Sequence, residues 1–166
     1  TGLRVRIDPD DPAVDAFPDE YDNVLVDLGA LDGFGLSPEL VLEFNRSLPE
    51  DLDLLEVVLL TEEADGSYRA HPVSSRVIDY GRVLLVRPWQ PLPPGVRGVL
   101  GVRAELADAS ACISPSETLR GLLTDPEQPL HGRYAEALGA LGWGAGEVGA
   151  MTVFTTQSAL DQDEAV

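Results

Sequence analysis

The chain contains no lysine, one cysteine, two histidines and few aromatic residues, and all 11 of its basic residues are arginines. A lone cysteine, Cys112, excludes an internal disulfide and any zinc or iron–sulfur site built on clustered thiols. It lies in a small-residue apolar segment, with no nearby histidine or lysine to lower its pKa, and reads as an inert buried thiol. Long hydrophobic runs are missing too: the longest, Leu54 to Leu60, is broken by Glu56 and is far too short to cross a bilayer. What the chain has in excess is acid. Its 29 Asp and Glu give a net charge of −18 over 166 residues, which disfavours nonspecific binding to nucleic acid and to anionic lipid. Cations, basic partners and plain solubility remain open. The hydrophobic share of 44% is ordinary for one globular domain. A chain of this length buries about two-thirds of its unfolded surface, enough for a core without staples.

The first strand expected is Leu3-Arg4-Val5-Arg6-Ile7, whose alternation puts three apolar residues on one face and two arginines on the other. From Asp8 to Asp22 there are seven acids and three prolines, which predicts a surface loop over 8–22. Val24 to Leu28 reads as a short strand before the turn at Asp32-Gly33. Further strands are expected at Glu39 to Phe44, Leu54 to Thr61, Ser67 to Ala70, Val73 to Ile78, Arg82 to Arg87 and Val96 to Val102. Asp65-Gly66 should close a hairpin, because glycine takes a positive φ without a Cβ clash. Four prolines between Pro88 and Gly95 exclude that stretch from a central ladder.

After Cys112 the periodicity turns helical. Ser114 as N-cap, Pro115 at the first helical position and Glu117 closing a capping box predict a helix to about Leu123. A second helix, Arg133 to Leu141, gathers Tyr134, Ala137, Leu138 and Leu141 on one face and stops at Gly142 and Gly144. Met151 to Thr156 reads as the last strand, before a polar tail. The expected fold is mainly β, an antiparallel sandwich with a two-helix insertion (114–142) before its last strand. One domain spans 1–158 and the tail 159–166. A start at Thr1 without methionine reads as a processed or excised piece.

Several strings occur in a telling order: Thr1-Gly2-Leu3-Arg4-Val5, Leu31-Asp32-Gly33-Phe34, Pro88-Trp89-Gln90-Pro91-Leu92-Pro93-Pro94-Gly95, Ser114-Pro115-Ser116 with Leu119-Arg120-Gly121-Leu122-Leu123, and Phe154-Thr155-Thr156-Gln157-Ser158. Together they resemble the N-terminal immunoglobulin-like domain of bacterial virulence-factor-type lipases, exported esterases in which that domain precedes an α/β-hydrolase domain. Leu40 to Val102 alone also looks like the bacterial Ig-like modules of cell-surface proteins. The chain departs from the pattern in two places. Val96-Arg97-Gly98-Val99 lacks the usual aromatic after the Pro-Gly corner, and Ala107-Asp108-Ala109-Ser110-Ala111 replaces a glycine-bearing aspartate turn. The hydrolase domain is not within these 166 residues. The resemblance therefore implies a non-catalytic accessory domain, secreted or surface-associated, whose partner is a neighbouring hydrolase or surface domain.

The residues themselves point the same way. There is no G-x-S-x-G nucleophile elbow; Ser67 falls in a hairpin, and helix capping accounts for Ser114. His71 and His131 precede Pro72 and Gly132, lack metal-ligand spacing and read as solvated turn residues. Trp89 and Trp143 read as core plugs. No cofactor is expected, with calcium as the one cation to consider. Asp8, Asp10, Asp11, Asp15 and Asp19 could offer it hard oxygens, but the loop lacks the central glycine and closing glutamate of an EF-hand and reads first as a solvated surface. A second function class is a self-assembling or adhesive surface module, pairing through edge strands such as Leu3 to Ile7.

Overall fold

The computed structural model describes residues 35–48, 56–103 and 113–158. Six strands come first: β1 (Leu40–Glu43), β2 (Val57–Glu62), β3 (Tyr68–His71), β4 (Val73–Ile78), β5 (Val83–Pro88) and β6 (Arg97–Arg103). Helices α1 (Glu117–Thr124) and α2 (His131–Leu141), a 3₁₀ turn (Ala145–Glu147) and β7 (Val148–Thr155) follow. All pairings are antiparallel, in two sheets ordered β1-β5-β4 and β3-β2-β6-β7. The chain is a mainly-β sandwich with two helices before its last strand, as the sequence predicts. The expected strands at Leu3 to Ile7 and Val24 to Leu28, the acidic loop, Cys112 and the tail 159–166 lie outside the described residues.

Apolar alternation decides which face each strand buries. Leu40, Leu84 and Val86 of the smaller sheet meet Leu59, Leu100, Val102 and Phe154 of the larger one. The larger sheet has a second buried face, where Leu60, Val99 and Met151 pack on Leu119 and Ala137 of the helical insertion and on Trp143 just after it. The result is three layers: sheet, sheet, helices. β6 lies in the middle layer, which is why it reads as a continuous apolar run and not as an alternation.

Two glycines of β6 make this layering possible. A Cβ at Gly98 would run into the Phe154 ring, while one at Gly101 would lie 2.8 Å from both Leu141 and Trp143. Since neighbouring strand residues face opposite ways, one glycine admits a ring from the inner core and the other admits the insertion. β7 opens at Val148, three residues before the expected Met151. Its register passes from Val102↔Ala150 to Arg103↔Val148, leaving Gly149 as the extra residue of a bulge. That bulge turns Val148 and Met151 to the same, helix-covered face.

Turn chemistry follows the sequence at Asp65-Gly66. Gly66 has φ 81°, and the Ser67 hydroxyl first, then its N–H donating to the Asp65 carboxylate at 2.9 Å, lower the pKa of that carboxyl. The β4–β5 turn is tighter: Asp79, Tyr80 and Gly81 have φ 51°, 53° and 85° in succession. Other boundaries differ from expectation. Pro88 pairs with Val73, tolerated because it is the terminal residue of β5 and β1 stops pairing at Val86. The cap of α1 is Ser116, not Ser114: its Oγ accepts the Leu119 N–H at 3.1 Å, and Glu117, now the first helical residue, closes no box. α2 begins two residues early, at His131, and ends as expected on left-handed Gly142.

Charge is divided unevenly. The described residues hold 12 acids and nine arginines, a net of −3, so most of the −18 falls elsewhere in the sequence.

Candidate functional site

Where β1 ends and β7 begins, the sandwich opens into a groove of about 620 Å³. Leu42 and Phe44 form one wall, Ile113 and Leu122 another, and Ala150 and Met151 the floor at the bulge, with Glu43 and Arg46 also lining it. Three local features set this shape. β1 alternates, so Leu42 and Phe44 turn inward together; Ser116 fixes where α1 starts; and the bulge brings the first residues of β7 beneath it. Arg46 makes no ion pair among the described residues. The lining is mixed: Asn45, Ser47, Ser114 and Thr118 stand beside these apolar side chains.

A second cluster fastens the insertion to the sheet. The Arg103 guanidinium donates to Glu56 at 2.7 Å and to Glu147 at 2.5 Å, and stands 5.6 Å from the centroid of the Trp143 ring. Glu147 in turn accepts the Gly144 N–H at 2.6 Å, and that bond, followed by Arg103, lowers its pKa. Arg97 adds a tie to α2 through Glu136 at 2.5 Å and lies 3.6 Å from Glu62 of β2. These groups tie elements of the fold together.

The histidines differ from expectation: neither stands in a solvated turn. His71 is the last residue of β3, half-buried, with Nε2 2.7 Å from the hydroxyl of fully buried Thr61. Burial first, and the Arg69 charge second, push its imidazole below the ordinary value, with Glu63 opposing. A hydroxyl beside an imidazole has the makings of a nucleophile–base pair, but Thr61 is sealed from solvent and its hydroxyl is not open to a substrate. His131 lies 2.9 Å through Nδ1 from the Leu122 carbonyl, joining the start of α2 to α1.

Trp143 is a core plug, at 8% exposure, but Trp89 is not: it stands 72% exposed. Leu92, at 2%, fills the core beneath the proline corner, and its N–H donates to Leu36 O at 2.6 Å. Asp8, Asp10, Asp11, Asp15 and Asp19 lie outside the described residues. Among the described residues no three His, Cys, Asp or Glu side chains gather as a metal site, and no helix is long and apolar enough to cross a membrane. Sequence reasoning did not find the groove, because its walls come from segments about 70 and 100 residues apart; the one local signal was the inward pair Leu42 and Phe44. No protein-family model matches the chain, and neither does any curated protein.

Proposed function

We propose that this chain is a non-catalytic, immunoglobulin-like accessory domain of an exported bacterial lipase-like or cell-surface protein. Its work is to position a neighbouring domain or to contact another protein. The observation that carries this reading is the pairing order. In an immunoglobulin sandwich, strands A, B, E and D share one sheet, while C, F and G share the other, with C′ beside C in the variable type. Lettering β1 to β7 as B, C, C′, D, E, F and G matches β1-β5-β4 to the B-E-D part of the first sheet and β3-β2-β6-β7 to C′-C-F-G, with no counterpart of A among the described residues. The helical insertion then occupies the F–G connection, a loop position that such domains use for recognition. The test is an assay of the chain against short-chain nitrophenyl esters. No turnover is expected, and turnover abolished by a serine-directed phosphonate overturns the reading.

A second reading, a self-assembling or adhesive surface module, draws on β1, which ends its sheet at one edge among the described residues. Concentration-dependent sedimentation supports it, and a strict monomer at high concentration removes it. Calcium stabilisation through the acidic loop is checked by melting with calcium and with chelator. Equal midpoints discard it, because a ligand specific to the folded state raises the midpoint by mass action.

A further inference from the structure

We infer that the outer face of the smaller sheet, β1-β5-β4, is a contact surface for a second copy of this chain. The inference rests on the self-assembling reading and puts the contact on a sheet face, not on a strand edge. The larger sheet packs on both sides, against the inner core and beneath the helices. The smaller sheet packs on the side that carries Leu40, Leu84 and Val86. Alternation turns Val41, Ile78 and Leu85 to its other side, and Trp89 follows them, because its N–H still donates to Pro72 O at 3.0 Å beyond the end of β5. Val41, Ile78, Tyr80 and Trp89 are the exposed large apolar side chains among the described residues, and all four belong to this sheet, its β4–β5 turn or the end of β5. Leu85 is only 6% exposed on this face, because the Arg76–Glu39 ion pair, at 3.2 Å, crosses β5 there and closes over it.

The occupant is argued from charge and area. In a chain of net charge −18, the strands of this face carry Glu39 and Glu43 against Arg76 and Arg87, a balance that lets a second copy approach without like-charge repulsion. Glu39 and Arg76 pair with each other, whereas Glu43 and Arg87 make no ion pair among the described residues. Nor can those two meet within one copy. Glu43 is the register partner of Val83, which lies four residues along β5 from Arg87, about 13 Å at the rise of a strand. A two-fold axis in the plane of the face, between Val41 and Leu85, sets Arg87 of each copy opposite Glu43 of the other and brings the two apolar centres together. Tyr80, 94% exposed, and Trp89, 72% exposed, supply much of the area, since an aromatic side chain buries about 150–250 Å² and a stable interface takes about 800 Å² per partner.

Sedimentation equilibrium of the full chain and of charge-reversed variants tests this. A dimer is expected in the parent chain. Arg87→Glu or Glu43→Arg alone should weaken it roughly tenfold or more, because each sets like charges opposite one another twice across the axis. Arg87→Glu and Glu43→Arg in one chain should restore it. The two single variants mixed in equal amounts should form a heterodimer tighter than either forms alone, since opposite charges then face each other at both contacts. A strict monomer at high concentration overturns the inference together with the self-assembling reading. A dimer indifferent to both reversals, with no gain on mixing, overturns the inference alone and leaves assembly to a strand edge.

Discussion

Gly98 and Phe154 share one volume of the inner core: the aromatic ring occupies the space in which any side chain at position 98 would begin. Gly98↔Phe154 are also register partners across β6 and β7, so neither strand can move to relieve a clash without shifting the other. Gly98→Ala should therefore destabilise by about 1–3 kcal/mol, the usual range for overpacking. Gly98→Ala combined with Phe154→Leu should recover part of that loss, a non-additivity expected of residues in contact. Urea unfolding midpoints check both.

The proline corner separates a buried anchor from an exposed ring. Leu92→Ala removes a fully buried side chain and should cost about 2–4 kcal/mol. Trp89→Ala should change stability by no more than about 0.5 kcal/mol, since the larger residue is mostly in solvent. The reverse order in chemical denaturation would refute this assignment of the corner.

Ser116 and Ser114 make a matched pair of controls. Ser116→Ala loses the side-chain bond to the Leu119 N–H and should cost about 1 kcal/mol. Ser114→Ala should be close to neutral, because α1 starts after Ser116. Thermal melts of the two variants distinguish the caps.

His71 ties stability to pH. Its folded pKa lies below the ordinary 6.5, so the folded state holds fewer protons than the unfolded chain near that pH. The stabilisation is present above the unfolded value and is lost as pH falls through 6.5 and past the folded pKa. Asp65 and Glu147, also lowered, act in a separate window in the carboxylate range. Between pH 7 and about 5, unfolding free energy should fall in the parent chain and flatten in His71→Gln, measured by denaturation across that range.

Local physics explains what was legible in the sequence. β4 and the Asp65-Gly66 hairpin were readable because alternation and a left-handed glycine act over a few residues. The second helix was readable from its apolar face and the first from its start signals, although Ser114 and Ser116 offered the same capping chemistry two residues apart and the cap is Ser116. The bulge at Gly149 was not visible, since an extra residue is defined by its partner strand. The Arg103 cluster and the Thr61–His71 contact were hidden for the same reason: each joins residues that only the sheet brings together. Trp89 misled because an aromatic among prolines suggests a plug, whereas the corner turns Leu92 inward instead.

The helical insertion makes the larger sheet depend on a segment that a plain two-sheet sandwich would not need. Excising residues 114–142 would strip Leu119, Leu123 and Ala137 from Leu60, Val99, Val148 and Met151 and expose apolar surface on that face. A shortened version would therefore be sticky and not merely smaller. The buried face of the larger sheet and its helical cap therefore form one packing unit.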